Sequence, residues 1–219
     1  MSPPDILVVI PVLNEARALD RLLPELRGQS PALDLVVVDG GSTDASCSVA
    51  ARWEVPVLER ARAGRAAQMN AGARHGAHAI LLFLHADTRL PPGAGAMVAR
   101  AVADGCAGGA FSRRFEPSGR FLRFTCWLAD WRGRLFGWFL GDQAIFACRD
   151  SFEQLGGFKD WQAFEDLDFS RRMKRIGKTR LLNPGVVSSS RRFASRGPVR
   201  QTLRDFLLTM RYLGKSGWE

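Results

Sequence analysis

The sequence predicts an α/β fold in which a mostly parallel central sheet carries helices on both faces. Three apolar runs lead to this prediction: "DILVVIPV", "DLVVVDGGSTD" and "AILLFLHAD". None of them shows the alternation of polar and apolar residues that a half-exposed strand would have, so each is expected to be buried on both faces. The segments between these runs have helical spacing, and strands that alternate with helices form parallel sheets.

Local signals predict the elements around these strands. The segment "EARALDRLLPELRGQ" places its apolar residues at helical spacing, and Asn14 before it is a candidate N-cap. The next segments predict a helix ("ASCSVAARWE"), a short strand ("VPVLERA") and a helix that is entered through Gly64 ("GRAAQMNAGARHG"). Later, "FEDLDFSRRMKRIG" has a helical stripe of Phe169, Met173 and Ile176, and "TLRDFLLTMRYLGKSGWE" predicts an amphipathic helix.

Length and composition fit one α/β domain, with or without a small extension. The chain has 219 residues, of which 46% are hydrophobic, so it can bury a full core. Its four cysteines are widely separated and form no C-x-x-C pair, so we expect reduced thiols and neither a zinc site nor a disulfide framework. The first apolar run has no basic leader and is broken by Pro11 and Asn14, which indicates a cytoplasmic protein.

The formal net charge of +9 indicates an anionic partner. Nucleic acid, an acidic membrane surface and a phosphorylated small molecule would all satisfy this charge, which alone does not choose among them. A non-catalytic nucleotide- or anionic-lipid-binding module is therefore one alternative to an enzyme. Such a module has no need for buried carboxylates at strand ends, because carboxylates repel phosphate unless a metal intervenes. We do not expect nucleic acid as a partner.

Polar side chains follow the predicted strands at the edge where open α/β sheets bind ligands. Asn14 follows the first strand, Asp39 ends the second, and His85 and Asp87 end a later one. A buried carboxylate is costly unless it accepts hydrogen bonds, and a nucleobase or a ribose hydroxyl would supply one to Asp39. Asp87 is a candidate ligand for magnesium, and His85, two residues earlier, is expected on the same face of the strand.

Six motifs occur together in one order: "VVIPVLNEA", "VVVDGGSTD", "GRAAQMNAGA", "FLHADT", "GDQAIFACRDSFEQLGGF" and "FEDLDFSRRMKRIG". Together they resemble the family 2 glycosyltransferases, which have the GT-A fold, over roughly residues 5–193. The closer likeness is to a bacterial subgroup that is associated with radical-SAM or selenium-domain proteins. The resemblance implies transfer of a sugar from a UDP- or GDP-linked donor with inversion, and Mg²⁺ or Mn²⁺ as the cofactor.

The resemblance also implies a division of the chain and a role for each motif. Residues 1–219 would form a single GT-A domain, with a nucleotide-sugar half over about 1–110, an acceptor and catalytic half over about 111–193 and a helical extension over about 194–219. The nucleotide-binding positions of the family fall on Pro11, Asn14, Glu15, Asp39, Arg65 and His85. The acceptor-side loop corresponds to Gly141, Asp142 and Gln143, and the candidates for stabilising the leaving diphosphate are Arg191 and Arg192.

One position departs from the family pattern. The family's Asp-x-Asp binds ribose and metal, and here its first member is His85, while Asp87 keeps the metal-binding position. Contact between His85 and ribose is therefore open, and so is the affinity for metal with one carboxylate fewer.

A cluster of three carboxylates, Glu165, Asp166 and Asp168, opens the segment "FEDLDFSRR". Inverting transfer needs a base that takes the proton of the acceptor hydroxyl. The match to the family's Glu-Asp pair implies that Asp166 is this base and that Glu165 orients the acceptor. The alternative is an acidic first turn that complements the helix dipole. Neighbouring like charges would raise the pKa of one carboxyl and make it a better base.

The segment "GRFLRFTCWLADWRGRLFGWFLGDQ" interleaves aromatic rings with arginines. One interpretation is a core helix that packs about half of these rings against the sheet. The other is a membrane-interface segment, which would suit a lipid-linked acceptor and peripheral attachment at the inner face of the membrane.

A sugar-phosphate nucleotidyltransferase is the alternative enzyme. It would share the sheet and the metal-binding aspartate, but it would carry a Gly-rich loop with Lys or Arg after the first strand. Here that loop reads "PVLNEA". The sequence of the loop therefore favours the sugar transferase.

Overall fold

The computed structural model of the protein describes residues 5–59, 64–117, 119–161, 163–190 and 197–216. The strands are β1 (Ile6–Val12), β2 (Asp34–Asp39), β3 (Val57–Glu59), β4 (Ile80–Phe83), β5 (Thr88–Arg89), β6 (Cys106–Glu116), β7 (Ile145–Cys148) and β8 (Lys178–Ser189). The helices are α1 (Ala16–Arg27), α2 (Ser46–Arg52), α3 (Arg65–Ala73), α4 (Ala94–Ala103), α5 (Arg120–Phe136), α6 (Arg149–Gln154), α7 (Glu165–Ile176) and α8 (Pro198–Ser216). A short 3-10 turn covers Gly141–Gln143.

The strands form one eight-stranded sheet in the order β3-β2-β1-β4-β7-β6-β8-β5. In the first half, β1 pairs in parallel with β2 and β4, and β2 pairs in parallel with β3, as the sequence predicts. Strand β7 runs antiparallel to both β4 and β6, β6 is parallel to β8, and β5 is antiparallel to β8. The expectation of a mostly parallel sheet is thus confirmed for the first half, while the second half is mixed.

Strand β1 shows why its sequence lacks polar alternation. Ile6, Val8 and Ile10 pack into the core on one face of the sheet. Leu7 and Val9 pack into the core on the opposite face. Because successive side chains of a strand point to opposite faces, a strand that is covered on both sides must be apolar at every position.

Helices cover both faces, as expected. Side chains of α1 and α4, such as Leu22 and Val98, fill the first core. Side chains of α3, α6 and α7, such as Met69, Phe152 and Phe169, fill the second. This arrangement leaves the carboxyl ends of β1, β2 and β4 side by side at one edge of the sheet.

Helix α5 forms as predicted, but fewer than half of the rings in its segment pack in the core: of seven rings, Phe139 is buried and Trp138 is half-buried, both beyond the end of the helix. Phe121, Phe124, Trp127, Trp131 and Phe136 are all exposed. The buried side of α5 is instead made of small and medium residues, namely Leu122, Cys126, Ala129 and Gly133. Among the helices that the structure describes, none has the length and apolar character needed to cross a membrane.

Candidate active site

The polar residues that follow β1, β2 and β4 converge at one edge of the sheet, as predicted. Val12 at the end of β1 is the register partner of Asp39 at the end of β2. The backbone N–H of Gly40 donates to the carbonyl of Val12 at 2.9 Å, and that of Leu84 donates to the carbonyl of Val9 at 3.0 Å. The loops after these three strands therefore leave the sheet next to one another.

Asp39 is buried at this edge, with 4% of its surface exposed. Its Oδ2 accepts hydrogen bonds from the backbone N–H groups of Gly41 and Ser42, at 2.8 and 2.9 Å. Burial acts to raise the pKa of Asp39, but the hydrogen bonds from Ser42 and Gly41 outweigh it and the net shift is downward. The carboxyl group is thus a charged acceptor whose position is fixed by the turn.

The second oxygen of Asp39, Oδ1, is buried and accepts no hydrogen bond from the described residues. The thiol of Cys47, a weak donor, lies near this carboxylate; burial raises the pKa of Cys47, and the charge of Asp39 adds to the rise. A buried carboxylate oxygen without a strong donor is costly. A ligand N–H or O–H group at this position would remove that cost.

Asn14 does not cap α1, contrary to the expectation from sequence. Its backbone has φ of 56°, and its Oδ1 accepts from the backbone N–H groups of Thr43 and Asp44 at 2.8 and 3.3 Å. The N-terminal N–H of α1 at Ala16 is instead bound by the Asp44 carboxylate at 3.0 Å. Asn14 therefore ties the loop after β1 to the loop after β2, and both loops border the edge that carries Asp39.

Pro11 and Glu15, which were also predicted to bind nucleotide, lie on either side of this loop. Pro11 is half-buried within β1 and is the register partner of Val38. Glu15 occupies the N-cap position of α1, and its backbone N–H donates to the hydroxyl of Ser46 at 2.9 Å. The loop between them is the one that Asn14 ties to the loop after Asp39.

Sequence reasoning missed Gln68, which lies on α3 and is buried. Its side-chain amide donates to the carbonyls of Val12 and Val38, both at 2.8 Å. These carbonyls belong to the ends of β1 and β2, so Gln68 fixes the separation of the two strands where the loops begin. The signal in the sequence was weak: a glutamine among the alanines of "AAQMNAGA".

Arg65 is the first residue of α3 and links the two halves of the site. Its guanidinium lies 3.4 Å from the carboxylate of Glu165, which opens α7. The arginine side chain is 41% exposed, whereas that of Glu165 is 5% exposed. The cation therefore remains open to an anionic ligand while it holds a buried acid in place.

The expectation that His85 and Asp87 share a face of a strand is wrong. Strand β4 ends at Phe83, and the chain then turns, with the backbone N–H of Thr88 donating to the carbonyl of His85 at 3.0 Å. The backbone carbonyl of Asp87 accepts from the N–H of Ser189 at 3.1 Å. Asp87 is therefore placed by a turn that is pinned to the end of β8.

Asp166, the second residue of α7, meets the 3-10 turn directly. Its Oδ2 accepts from the backbone N–H of Gly141 at 2.5 Å, and its Oδ1 accepts from the N–H of Leu167 at 2.6 Å. A Cβ atom placed on Gly141 would lie 2.7 Å from His85 Nε2 and 3.2 Å from Asp166 Oδ2. Gly141, His85 and Asp166 are thus brought together, and only a residue without a side chain fits between the two others.

Both acids of the Glu-Asp pair have pKa values that are raised. Burial is the largest cause of the raised pKa of Glu165, followed by the charge of Asp166, while Arg65 opposes the rise. Burial also raises the pKa of Asp166, against the hydrogen bond from Gly141 and the charge of Arg65. A raised pKa makes a carboxylate a stronger base, and such shifts concentrate at functional sites.

Asp168 differs from this pair. Its Oδ2 accepts from Arg172 at 2.7 Å, one turn later on α7, and Lys159 lies 3.7 Å from its other oxygen. Arg172 also donates to the carbonyls of Leu155 and Gly157. Asp168 therefore anchors the loop before α7, and its carboxylate is already occupied by cations.

Asp142 is held by a cation that sequence reasoning missed. Arg113 of β6 forms an ion pair with its Oδ2, and the arginine side chain is only 10% exposed. Burial acts to raise the pKa of Asp142, but the charges of Arg113 and His85 outweigh it and lower the pKa. The sequence signal was an arginine within the apolar strand segment "AFSRRF".

Gln143 supports the turn from inside. Its side chain is fully buried, its Oε1 accepts from the N–H of Leu140 at 3.1 Å, and its amide donates to the carbonyl of Phe111 at 3.2 Å. Arg132 of α5, also missed from sequence, reaches the same Oε1 at 3.5 Å. Burial and the charge of Arg113 lower the pKa of Arg132. Of the three residues predicted to form the acceptor-side loop, Gln143 therefore has a structural role inside the turn, and Gly141 and Asp142 keep the predicted one.

The predictions of a metal site and of arginine contacts to the diphosphate have different outcomes. The described residues contain no group of three or more His, Cys, Asp or Glu side chains that could hold a metal by themselves. The candidate diphosphate contacts, Arg191 and Arg192, lie outside the described residues.

A sequence model of one protein family matches most of this chain. The model of glycosyl transferase family 2 matches residues 7–146, which is more than half of the chain and includes Asp39, Arg65 and the Gly141–Gln143 turn. The chain belongs to glycosyltransferase family 2. No curated protein matches the chain.

Solved structures agree with the family. The mannosyltransferase PcManGT from Pyrobaculum calidifontis, in complex with GDP-Man and Mn²⁺, is 26% identical with a TM-score of 0.67, over 86% of this chain and 57% of that one. TarS 1-349 from S. aureus, in complex with UDP-GlcNAc, is 15% identical with a TM-score of 0.66, over 85% of this chain and 58% of that one. This family 2 chain therefore has the expected GT-A fold, and it spans less than two thirds of the length of either structure.

Proposed function

We propose that the protein transfers a sugar from a nucleoside-diphosphate sugar to an acceptor hydroxyl, with inversion at the anomeric carbon. The observation that carries this proposal is the buried Glu165–Asp166 pair, which meets Arg65 on one side and Gly141 on the other. Arg65 connects the pair to the edge that carries Asp39, because α3 begins at Arg65 and its Gln68 binds the carbonyls at the ends of β1 and β2. A donor whose base lies at Asp39 and whose diphosphate lies at Arg65 would bring its sugar towards Asp166.

For the donor we propose a UDP- or GDP-linked sugar. The second oxygen of Asp39 is a buried, charged acceptor at the carboxyl end of β2. The imide N–H of uracil or the N–H groups of guanine would donate a hydrogen bond to it. PcManGT was solved with GDP-Man and TarS with UDP-GlcNAc, which supports this class of donor for a chain of the same fold. Asn14 and Ser42 hold the loops that would flank the base, since the N–H of Asn14 donates to the Ser42 hydroxyl at 2.8 Å.

In the proposed reaction, the acceptor oxygen attacks the anomeric carbon as its proton passes to the carboxylate of Asp166. The bond between the anomeric carbon and the diphosphate oxygen breaks, and its electron pair leaves with the nucleoside diphosphate. The products are the inverted glycoside, the nucleoside diphosphate and a protonated Asp166. The raised pKa of Asp166 suits a proton acceptor, and positioned bases contribute typically about 10²–10⁴-fold to rate.

Glu165 and Arg65 would set the geometry of this step. Glu165 is buried and its pKa is raised, mainly by burial, so its carboxylate is a strong acceptor for a hydroxyl of the acceptor or of the donor sugar. Arg65 is open to solvent on its far side, where it would contact the diphosphate and offset the negative charge that grows on the leaving group. The 3.4 Å contact between the two side chains couples donor binding to the position of the acid.

We propose Asp87 as the protein's ligand for Mg²⁺ or Mn²⁺. The donor set fits a site that is completed by substrate: one hard carboxylate lies in a fixed turn, with no cluster of three protein ligands among the described residues. Such cations are usually held by one or two carboxylates together with substrate phosphates and water. When bound, the ion would neutralise charge on the diphosphate. The protein alone is expected to bind it weakly.

For the acceptor we propose a lipid-linked molecule whose hydroxyl approaches past Gly141 and Asp142. The N–H of Gly141 holds Asp166, and the ion pair with Arg113 holds Asp142. Helices α5 and α8 lie on this side and expose apolar side chains. This placement supports an amphipathic acceptor and a peripheral position at the inner face of a membrane.

A thermal-shift screen of nucleotides with and without Mn²⁺ or Mg²⁺ tests the donor assignment. Stabilisation by GDP or UDP that grows strongly with metal is the expected result, since a ligand stabilises the state that it binds. Release of the nucleoside diphosphate from the matching sugar nucleotide then tests transfer. A nucleotide-binding module would show the thermal shift without turnover, and absence of any nucleotide effect would overturn the proposal.

A further inference from the structure

The outer face of α5 is apolar and open to solvent. Phe124, Trp127, Leu128, Trp131 and Leu135 are each between 47% and 59% exposed. The rings form a continuous row, with 5.9 Å between the centroids of Phe124 and Trp127 and 6.0 Å between those of Trp127 and Trp131. Exposed apolar patches of this kind mark surfaces that bind a partner or a membrane.

Helical periodicity shows that this row is separate from the side of α5 that packs on the core. The buried residues Leu122, Cys126, Ala129 and Gly133 recur at spacings of four, three and four, and they face the protein. The exposed residues Phe124, Leu128, Trp131 and Leu135 recur at the same spacings, but they lie on the opposite side of the helix. Helix α5 therefore has two apolar faces, and the larger side chains are on the outer one.

The last helix, α8, repeats this arrangement beside α5, with which it is in contact. Val199, Leu203, Leu207 and Met210 lie on one stripe of α8, and each is between 43% and 60% exposed. These positions are spaced by four, four and three residues, so they share one face. We call the outer stripes of α5 and α8 together the apolar face.

Arginines border the apolar face. Arg120, Arg123 and Arg134 on α5 are exposed, and so are Arg200 and Arg204 on α8. A surface of aromatic and aliphatic side chains with arginines along its rim matches the headgroup region of an anionic bilayer, where rings enter the interface and guanidinium groups meet phosphates.

We infer that the apolar face docks the protein on an anionic membrane surface. A second copy of the chain fits less well, because a two-fold contact would bring the same rim of arginines against itself in a protein of net charge +9. The aromatic content favours lipid as well, since tryptophan and phenylalanine are the side chains that settle at membrane interfaces.

The apolar face adjoins the acceptor side of the candidate active site. Helix α5 leads directly into the turn whose Gly141 N–H binds Asp166. On α8, the ring of Tyr212 stacks on Phe164, the residue before Glu165, at 5.2 Å and 19°. Docking would therefore place the bilayer next to the proposed base. This last step, a lipid-linked acceptor delivered from the bilayer, rests on the proposed function, whereas docking itself does not.

Co-sedimentation with vesicles tests docking without any enzymatic readout. The full chain is compared on vesicles of phosphatidylcholine alone and of phosphatidylcholine with phosphatidylglycerol. We expect binding to the anionic vesicles that weakens as salt is raised. The double variant W127S/W131S is expected to bind about tenfold or more weakly, with an unchanged melting temperature because both rings are half exposed.

The matched control is Ile176→Ser, which removes an exposed apolar side chain at the end of α7 and leaves the side chains of the apolar face intact. It should bind vesicles like the wild type. GDP and UDP affinity, measured on the same variants, should be unchanged, so a failure of docking and a failure of the donor assignment give different results. Absence of wild-type binding to anionic vesicles, or dimers in light scattering that dissociate in W127S/W131S while vesicle binding is unaffected, would overturn the inference.

Discussion

Adding one methyl group at Gly141 should disable the proposed base without unfolding the protein. The Cβ of Gly141→Ala would lie 2.7 Å from His85 Nε2, 2.9 Å from His85 Cε1 and 3.2 Å from Asp166 Oδ2. Ordinary contacts of a Cβ begin at 3.4 Å, so the methyl group intrudes on His85 by 0.7 Å and on Asp166 by 0.2 Å. The positive φ that would exclude alanine is not found at Gly141, so the effect is one of space alone.

The magnitude follows from which atoms must move. The nearest atoms belong to the end of the His85 ring, which can rotate, so we expect the lower part of the overpacking range, about 1–2 kcal/mol. In a protein of this size that corresponds to a fall in melting temperature of about 2–8 °C. A misplacement of about 1 Å can cost about 10²-fold in rate, and the intrusion on Asp166 is smaller than that, so we expect a loss of up to about 10²-fold. Turnover should therefore fall while the protein remains folded.

The assay is release of nucleoside diphosphate together with a melting curve, for wild type, Gly141→Ala and Gly28→Ala. Gly28 is the control because its Cβ would meet its nearest atom, the carbonyl oxygen of Pro24, at an ordinary 3.5 Å. Gly28→Ala should turn over normally. If Gly141→Ala does so as well, the contact between the turn and Asp166 has no part in catalysis and the proposed arrangement is wrong.

Three further predictions concern the donor, the metal and pH. Asp39→Asn should weaken nucleotide binding by about 1–3 kcal/mol in calorimetry, because it replaces one acceptor oxygen of a buried carboxylate by a donor; unchanged affinity would contradict the base contact. Asp87→Ala should remove the dependence of nucleotide affinity on Mn²⁺ without unfolding the protein, whereas metal-dependent binding that survives would exclude Asp87 as the ligand. The rate should fall as pH drops through the raised pKa of Asp166, above the range of an ordinary aspartate, because protonation removes the base. The same shift favours the protonated folded state, so the stability that Asp166 contributes is present at low pH and lost as pH rises through that pKa. A pH–rate profile whose acidic limb lies in the pKa range of an ordinary aspartate would refute the raised pKa of the base.

Residues whose environment is set locally could be predicted from the sequence. The unbroken apolar run of β1 indicates a strand with two buried faces, and Val9 and Ile10 do face opposite cores. Parallel pairing of β1 with β2 then requires that the residues after both strands share one edge, which places Asn14 next to the loop of Asp39. These conclusions need only periodicity and chain direction.

Residues whose environment depends on distant contacts could not be predicted. His85 leaves the strand because the chain turns there, and that turn is fixed by pairing of Thr88 with Ser188, a hundred residues later. Arg113 gains its role only when the 3-10 turn brings Asp142 beside it. Neither partner is close in sequence, so no local pattern reveals the pair.

Helix α5 illustrates a third kind of difficulty. Its sequence contains two apolar stripes, and periodicity alone does not show which one is buried. The structure buries the stripe that contains Ala129 and Gly133, because small residues let the helix approach the sheet, and Gly133 lies against Phe139. The larger rings, including Trp127 and Trp131, remain outside. The two stripes of α5 therefore differ in side-chain size more than in hydrophobicity, and the stripe with the smaller side chains faces the sheet.

The most direct test of the account compares Asp166→Asn with Asp168→Asn. Both substitutions keep the volume of the side chain and remove one carboxylate from the first turn of α7. Asp166 lies against Gly141, whereas Asp168 is bound to Arg172. Donor affinity, melting temperature and nucleoside-diphosphate release are measured for both variants and the wild type.

Asp166→Asn is expected to bind the donor normally and to lose about 10²–10⁴-fold in turnover, because it removes a positioned base. Asp168→Asn should retain turnover within severalfold and lose stability, by about 1–3 kcal/mol, because it breaks the ion pair with Arg172. Turnover that is lost in Asp168→Asn and kept in Asp166→Asn would show that the wrong carboxylate was chosen. Full turnover in both variants would contradict the assignment of the base to this helix.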